Sequence, residues 1–461
     1  MPSHITDSIF LKDLYGTDEM RAVFDDHALL QKWLDAEVAL AKAEAEIGVI
    51  PPAAAEEIAR KGRAELIDTI YMKQQVDHTL HPIVPLIRAF KNVCEGDAGE
   101  YIHWGATTQD IMDTALVLQI KDALAIFERR LADIDAVLRE LALRHRDTLM
   151  AGRTHGQHAL PITFGYKVAI WLDEFHRHAA RLDECKKRVL VGQFGGAVGT
   201  LAGVAEHGLE IQRRMMAHLG LGVPAITWHV AHDGFAEFAG VAAMVAGTCG
   251  KIANEVIALQ KSEMMELEEP WAEGKVGSST MPHKRNPMLC EAIMALSRLS
   301  FNHARAALDG LIPDHERDWT YNHMEWAWVP ELCVMTDGAL ALTLRVLRGL
   351  RVYPERMRRN LDALHGLMLS EAVMFALGEH VGRQTAHDIV YESAMRAVEE
   401  GRPFRELLLA DPRVAAHLAR EDVDRLLDPA RYTGLAGAFV DRVLQAQPRS
   451  DEAQPIADGL K

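Results

Sequence analysis

The sequence has few of the features that mark disulfide-rich, metal-binding or nucleic-acid-binding proteins. Its 461 residues include only five cysteines, which are scattered without a C-x-x-C pair, so neither a disulfide framework nor a zinc cluster is predicted. Basic residues are outnumbered, 50 against 66 acidic ones, and the formal net charge is −16. This charge argues against nucleic acid or a membrane surface as a partner. An anionic substrate would therefore need a locally basic pocket.

The N-terminal residues lack the basic-then-apolar layout of a signal peptide, and no uninterrupted apolar run is long enough for a bilayer span. We therefore expect a soluble, cytoplasmic protein. Hydrophobic residues make up 49% of the chain, which is enough for a large core, and the length allows two or three domains.

Helical periodicity is the dominant pattern. Residues 110–146 carry apolar side chains at helical spacing and predict one long helix, while residues 235–267 are apolar almost all the way round. A helix of about 30 residues is about 45 Å long, longer than one small domain needs, so neighbouring subunits are expected to bury it. We predict an all-α oligomer with three helical domains, at residues 1–105, 106–351 and 352–461.

Residues 277–287, with the sequence GSSTMPHKRNP, form the most distinctive stretch. Asn286 is a good N-cap and Pro287 suits the first helical position, so a helix is predicted from Met288 to about Ala307. Its free N–H groups would attract an anion to a loop rich in hydroxyls and cations. From spacing alone, a polar surface loop with a basic cluster explains the stretch equally well.

Three further segments concentrate polar groups. Thr107 and Thr108 directly precede a long helix, where helix capping alone would explain one hydroxyl. Residues 151–158 place arginine, threonine, histidine and glutamine close together as a dense set of hydrogen-bond donors, although a lone histidine is more often structural. Arg317 has the fork that binds a carboxylate bidentately, although a surface salt-bridge loop is the alternative.

Two other patterns do not predict a site. His78 and His81 are three residues apart, but no further cysteine or histidine lies nearby to complete a metal site. Residues 193–200 are rich in glycine, yet they fit neither G-x-G-x-x-G nor a P-loop. Close approach of the backbone to a ligand or helix is enough to explain these glycines.

Residues 277–287 resemble the signature loop of the fumarase/aspartase superfamily, and we call them the signature loop. Enzymes of that superfamily are homotetramers with a twenty-helix core, and they cleave a C–N or C–O bond beta to a carboxylate, usually releasing fumarate. The resemblance implies that Ser278 is the general base and His155 the general acid. It implies no metal and no organic cofactor. The substrate-binding residues that it implies are Thr107, Thr108, Gln109, Arg153, Thr154, Gln157, Ser279, Met281, Lys284, Asn286 and Arg317.

Within the superfamily, the chain is most similar to the branch of adenylosuccinate lyase and bacterial 3-carboxy-cis,cis-muconate cycloisomerase. Leu14 and Trp326 stand where adenylosuccinate lyases carry arginines around the nucleotide phosphate, whereas His155 stands where bacterial cycloisomerases usually have tryptophan. We therefore predict a lyase that releases fumarate from a substituted succinate that is not a nucleotide. The lactonising cycloisomerase is the alternative, and adenylosuccinate lyase is less favoured. The expected partners are a small di- or tricarboxylate and other copies of the chain, with active sites shared between subunits.

Overall fold

The computed structural model describes residues 4–271 and 277–446, and helices dominate it. The first part of the chain forms α1 (Lys12–Tyr15), α2 (Asp18–Val23), α3 (Asp26–Glu46), α4 (Pro52–Lys61), α5 (Thr69–Thr79) and α6 (Ile83–Val93). The middle part forms α7 (Thr108–Arg144), α8 (Phe164–Val189), α9 (Gly208–Leu219), α10 (Asp233–Gln260), α11 (Met288–Asp309) and α12 (Thr320–Arg348). The last part forms α13 (Pro354–Leu361), α14 (Ser370–Val381), α15 (Arg383–Glu400), α16 (Phe404–Ala410), α17 (Pro412–Ala415), α18 (Arg420–Leu426) and α19 (Ala436–Gln445). The all-α prediction is confirmed.

In the described part of the chain, two short antiparallel strand pairs accompany the helices, and neither was predicted from the sequence. β1 (Leu149–Thr154) and β2 (Gln157–Thr163) form a hairpin, and β3 (Leu267–Glu268) pairs with β4 (Arg351–Val352). The helix predicted over residues 235–267 ends at Gln260, earlier than expected. Met265 adopts a left-handed conformation, with φ of 52°, so the chain turns before it enters β3.

The long helices α7 and α11 match their predictions closely. α7 covers Thr108–Arg144 where residues 110–146 were predicted, and α11 covers Met288–Asp309 where a helix to about Ala307 was predicted. In α7 the apolar stripe specifies the helix, because its period of 3.6 residues persists over many turns. The prediction of α11 rested on Asn286 and Pro287 at its start.

The chain forms two compact units. Unit 1 contains the residues up to 131, 178–250 and 292–342, and unit 2 contains 132–177, 251–291 and the residues from 343 onward. The unit boundaries fall inside long helices, whereas the predicted domains were drawn at loops. The division into three domains therefore stays a prediction.

Each unit has its own apolar core. In unit 1, α3, α4, α6 and α9 pack around fully buried side chains that include Leu34, Ile58, Phe90 and Met215. In unit 2, the last helices enclose a separate cluster that includes Phe404. Burying each large apolar side chain stabilises the fold by about 1.5–3 kcal/mol.

Within the described residues, two helices are long and apolar enough to cross a membrane by length and composition, although charged residues interrupt the apolar run in both. They are α10 and α12, and a bent pair at residues 354–364 and 367–381 also qualifies when it is taken together. In the most apolar 18-residue segment of each helix, the buried share is 72% for α10 and 78% for α12. Burial among other helices explains this apolarity. The cytoplasmic location stays a prediction.

Candidate active site

Two adjacent threonines at the start of α7, here called the threonine pair, form a hydrogen-bonding site in unit 1. Arg317 Nη1 donates to Thr107 Oγ1 at 3.1 Å, and His81 Nε2 lies 3.0 Å from Thr108 Oγ1. His81 Nδ1 accepts the backbone N–H of Val84 at 3.2 Å, so in the neutral ring the proton is on Nε2, which donates to Thr108. Burial lowers the pKa of His81, which favours this neutral ring.

Because both threonine oxygens accept a bond from a neighbour, both hydroxyl hydrogens are left to donate elsewhere. A carboxylate has only acceptors and matches two adjacent O–H donors. Thr108 is also the first residue of the 37-residue helix α7, whose positive end favours a negative charge. The threonine pair and Arg317 can therefore bind a carboxylate.

The buried carboxylate of Asp110 holds this part of unit 1 together. Oδ1 accepts the backbone N–H of Gly195 at 2.9 Å and lies 2.7 Å from His229 Nε2. Oδ2 accepts the backbone N–H groups of Gly196 and Thr107, each at 2.9 Å. One side chain thus fixes the start of α7, the glycine-rich loop and His229 relative to one another.

The glycine-rich loop approaches neighbouring groups closely. A Cβ atom on Gly195 would lie 2.7 Å from Thr227 Oγ1, and Gly199 has a φ of 85°, which larger residues rarely adopt. Arg317 Nη2 donates to the carbonyl oxygen of Ala197 in the same loop. The loop therefore positions Arg317 beside the threonine pair.

Gln109, which was predicted to bind substrate, lies inside unit 1. Its side chain is fully buried, and its Nε2 lies 3.0 Å from Asp113 Oδ2 and 2.8 Å from the carbonyl oxygen of His229. Tyr321 Oη donates to the same carbonyl at 2.6 Å. On α7 the residue after the threonine pair points into the protein, because successive helix positions are rotated by about 100°. The predicted substrate contact of Gln109 stays a prediction.

A buried acid–histidine network lies next to Gln109. His232 Nδ1 is 2.6 Å from Glu325 Oε1, and His232 Nε2 is 3.9 Å from Asp113 Oδ2. Burial raises the pKa of Asp113 to about 7. Burial alone would lower the pKa of His232, but the hydrogen bond and charge of Glu325 raise it above its usual value. The network can therefore change its protonation near neutral pH.

Four rings, here called the aromatic cluster, extend from the threonine pair along the start of α12. Ring centroids are 5.4 Å apart for His81 and Trp319, 5.9 Å for Trp319 and His323, 6.0 Å for Trp319 and Trp326, and 4.8 Å for His323 and Trp326. The sequence analysis gave His81 no role. The spacing of residues 319, 323 and 326 on a helix was the signal that could have grouped the other three rings.

In unit 2, the β1–β2 hairpin carries three predicted site residues at its tip. Thr154 pairs with Gln157, and the turn between them has φ of 52° at His155 and 77° at Gly156. Two positive φ values are typical of the tight type I′ turn that joins antiparallel strands. Thr154, His155 and Gln157 are exposed there. The three side chains are therefore accessible at the tip of the hairpin.

Arg153, in contrast, is committed to an internal partner. Its guanidinium binds the fully buried carboxylate of Glu266 through two hydrogen bonds, at 2.5 and 3.1 Å, and Asn360 Nδ2 donates to the same carboxylate at 2.8 Å. Removing the arginine would leave a buried charge without its cation. Arg153 therefore supports the hairpin from inside unit 2, and its predicted substrate contact stays a prediction.

The signature loop, also in unit 2, surrounds the Ser278 oxygen with backbone donors. Ser278 Oγ accepts the N–H of Thr280 at 3.3 Å and that of Met281 at 3.1 Å. Two N–H dipoles aimed at one oxygen favour negative charge on it. Ser279, Met281 and Lys284 are exposed.

Asn286 does not cap α11, and the helix start is not free. Asn286 Nδ2 donates to the carbonyl oxygen of Gly277 at 2.7 Å, which closes the base of the loop. The buried carboxylate of Glu269 accepts the N–H groups of Leu289 and Cys290, each at 3.0 Å. The capping prediction for Asn286 is therefore wrong. The carboxylate of Glu269, the residue that follows β3, already accepts the N–H groups that were expected to attract an anion.

Other contacts fasten the loop where it joins α11. Arg285 Nη1 donates to Glu268 Oε1 at 2.9 Å, and its guanidinium lies 5.2 Å from the centroid of the Trp271 ring. Gln260 Nε2 donates to the carbonyl oxygen of Arg285 at 3.1 Å. The loop therefore has a fixed base and an exposed tip.

The predicted site residues thus fall into three groups. Unit 1 brings together the threonine pair and Arg317, while unit 2 places one group at the hairpin tip and another on the signature loop. Sequence reasoning missed His81 and Glu269, whose roles depend on partners 27 and 20 residues away.

Comparison with known proteins places this arrangement in a family. Residues 15–299 match the family model described as lyase, and residues 366–443 match that of the adenylosuccinate lyase C-terminus. The chain is 45% identical to N-acetyl-S-(2-succino)cysteine lyase of Dickeya dadantii, over 96% of this chain and 98% of that protein. It is 44% identical to 3-carboxy-cis,cis-muconate cycloisomerase of Pseudomonas aeruginosa, over 92% of this chain and 93% of that protein.

A solved structure supports the same assignment. The fumarate lyase from Mesorhizobium sp. BNC1 superposes with a TM-score of 0.89 at 45% identity, over 94% of this chain and 99% of that one. The chain therefore belongs to the fumarase/aspartase superfamily, as a lyase or cycloisomerase.

Proposed function

We propose that the protein catalyses the reversible elimination of a substituent from C2 of succinate, releasing fumarate, and that the preferred substituent is a thioether. The sequence analysis considered C–N and C–O bonds. Two relatives, at 45% and 44% identity, are named N-acetyl-S-(2-succino)cysteine lyase, and that name describes a C–S bond to succinate. The thioether is therefore the first substrate class to test.

The observation that carries the proposal is the pair of N–H groups at Ser278 Oγ. Serine is a weak base at its ordinary acidity, so a serine base needs surroundings that stabilise its oxyanion. The backbone of Thr280 and Met281 supplies such donors without any side chain. This geometry supports Ser278 as the group that removes the C3 proton.

Proton removal next to a carboxylate places a second negative charge on that group, and the barrier falls only if fixed donors stabilise it. We assign this task to Lys284, with Ser279 and the backbone of Met281 beside it on the signature loop. Asn286 supports the loop from its base, and any contact it makes with substrate would be through its remaining amide hydrogen. The electron pair then expels the thiolate from C2 and forms the double bond of fumarate.

The other two groups receive complementary tasks. The threonine pair and Arg317 bind the second carboxylate. His155 gives a proton to the leaving group, and Thr154 and Gln157 orient the substrate beside it. No residue in this scheme requires a metal or an organic cofactor.

We further propose that the three groups meet between subunits of a homotetramer. Long helices leave large apolar side chains exposed on the single chain, which a monomer would not favour. Leu143 on α7 is 62% exposed, Met244 on α10 is 44% exposed, and Leu308 on α11 is 58% exposed. Burial of these surfaces by other copies would place the groups together in shared sites.

The experiment is a fumarate release assay, followed by ultraviolet absorbance, with succinates that carry S-, N- or O-linked substituents at C2. We expect fumarate from N-acetyl-S-(2-succino)cysteine, and the corresponding thioether product when fumarate and N-acetylcysteine are mixed. Ser278→Ala is the control for contaminating activity. Failure of the wild-type protein to release fumarate from any of these compounds would exclude the proposal.

The alternative is the lactonising reaction of the cycloisomerase, which 44% identity to the P. aeruginosa enzyme favours. Cyclisation removes the conjugation of the muconate and forms no fumarate, so loss of muconate absorbance without fumarate would identify it. His155 weighs against this alternative, because bacterial cycloisomerases usually have tryptophan there.

A further inference from the structure

A run of exposed arginines begins near the end of α12 and continues through α13 in unit 2. All arginine side chains between residues 345 and 359 are exposed, and Glu355 is the one acidic residue of this stretch. The arginines, here called the arginine patch, are Arg345, Arg348, Arg351, Arg356, Arg358 and Arg359. Because the whole chain has a formal net charge of −16, the patch is a local exception on an acidic protein.

Part of the patch is not neutralised by neighbouring acids. Arg348 lies 3.2 Å from Asp133, and Arg358 lies 2.9 Å from Asp362. The other arginines of α13, at positions 356 and 359, and the one at position 345 form no ion pair with any residue that the structure describes. An exposed arginine without an acidic neighbour adds a full positive charge to the field outside the protein.

Arg351 connects the patch to the signature loop. Its Nη1 lies 3.5 Å from Glu268 Oε2, while Arg285 of the loop donates to Glu268 Oε1 at 2.9 Å. One carboxylate therefore lies between two guanidinium groups and balances the charge of only one. A Cβ atom on Gly349 would lie 2.6 Å from Pro270 Cβ, so the end of α12 packs closely against the segment after β3.

The charge of the patch is suited to a small dianion. A substituted succinate carries two carboxylates, and exposed cations beside a site raise both the local concentration and the association rate of such an anion. Nucleic acid is a poorer fit, because its single-strand sites present aromatic rings for stacking. Tyr353, the aromatic residue within the patch, is partly buried and donates to Glu268 at 2.5 Å.

We propose that the arginine patch attracts dianionic carboxylates from solution and directs them to the signature loop of the same unit. This inference rests on the proposed function. It adds a surface that the substrate meets before it reaches the residues that bind it.

The test removes three charges at once, in the variant Arg345→Gln/Arg356→Gln/Arg359→Gln. At an ionic strength of about 0.1 M, where the Debye length is about 10 Å, we expect kcat/KM for the thioether substrate to fall about fivefold, through KM, with kcat unchanged. At about 1 M, where the Debye length is about 3 Å, the difference should shrink to about 1.5-fold or less. Lysine at the same three positions keeps the charge and should preserve the wild-type kcat/KM.

The matched control is Arg383→Gln/Arg396→Gln/Arg420→Gln, which removes the same charge from exposed positions on α15 and α18. It should change kcat/KM by about 1.5-fold or less at both ionic strengths. An equal fall in the control, or a loss in the patch variant that persists at about 1 M, would overturn the proposal. Light scattering accompanies both variants, and dissociation of the patch variant alone would overturn it too, by assigning the arginines to subunit contacts.

Calorimetric titration with fumarate requires no turnover and separates this proposal from the proposed function. The wild-type protein should bind fumarate about fivefold more tightly than the patch variant at about 0.1 M, and equally tightly at about 1 M. If the wild-type protein releases fumarate from no substrate, the proposed function fails, while this titration still decides whether the patch attracts a dianion. Equal affinities at about 0.1 M would contradict the proposal.

Discussion

Asp110 satisfies three backbone N–H groups and one histidine with a single carboxylate. Replacing it by alanine would leave those buried donors unpaired, at a cost of about 1–3 kcal/mol each. We therefore predict that Asp110→Ala lowers the melting temperature strongly and abolishes activity. Asp122→Ala removes an aspartate from the same helix that is about half exposed and paired with Lys32, and it should change stability by about 1 kcal/mol or less. Similar melting temperatures for the two variants would contradict the role of Asp110.

The raised pKa of Asp113 leads to a prediction of how the stability of the fold depends on pH. A buried carboxyl with a pKa of about 7, instead of its usual value of about 4, binds a proton in the folded state that the unfolded state has released. Stability should therefore fall as the pH rises from about 4 to about 7, and the raised pKa of His232 adds a loss in the same direction.

Asp113→Asn keeps the shape of the side chain but cannot ionise. We expect the fall in melting temperature between pH 5 and pH 8 to be smaller in this variant than in the wild type, by scanning calorimetry at both values. Asp122→Asn should leave the difference unchanged. An undiminished fall in Asp113→Asn would show that another group is responsible.

The internal partners of single site residues could not be predicted from the sequence. The sequence analysis found the segments that carry polar groups, but it assigned Arg153, Gln109 and Asn286 to a ligand. Arg153 binds Glu266, which is 113 residues away, and Gln109 is turned inward beneath the threonine pair. Spacing along the chain shows which donors exist but not which internal acceptors have already taken them.

At the scale of elements, the start of α11 depends on Glu269. Glu269→Gln removes the negative charge at the positive helix end and should cost about 1–2 kcal/mol. Because the signature loop ends at this helix, misplacement of the loop should also lower kcat by roughly tenfold. The control is Glu263→Gln, an exposed position in the preceding turn. Unchanged thermal stability and kcat in Glu269→Gln would show that the cap is dispensable.

The elements also differ in how well a sequence predicts them. α7 was predictable because an apolar stripe repeats over many turns, and α11 because Asn286 and Pro287 signal a helix start, although Asn286 does not cap it. The β1–β2 hairpin was not, since its turn is His155-Gly156 and lacks the usual Asn-Gly signal. Its strands also lack a sustained alternation of buried and exposed residues.

At the scale of the whole molecule, shared active sites predict complementation. Ser278→Ala and His155→Ala are each expected to be inactive or impaired alone, but hybrid tetramers should contain some sites with both intact residues. Subunits would be mixed, exchanged and assayed for fumarate release, with light scattering to verify tetramers. Recovery of activity would support shared sites. A stable monomer, or no recovery despite proven exchange, would contradict them.

Ser278 and His155 have separate tasks in the proposed mechanism, because Ser278 removes a proton and His155 supplies one. Removing the base blocks every substrate, whereas removing the acid matters in proportion to how much the leaving group needs a proton. A thiolate leaves more readily than an amine, because it is the conjugate base of a far stronger acid.

The most direct measurement is therefore fumarate release by both variants from an S-linked and an N-linked succinate, with kcat/KM for each pair. We predict that Ser278→Ala abolishes turnover of both, while His155→Ala loses about 10²–10⁴-fold more on the N-linked substrate than on the S-linked one. Equal losses in His155→Ala would mean that the proton comes from elsewhere. Substantial turnover by Ser278→Ala would contradict the central claim.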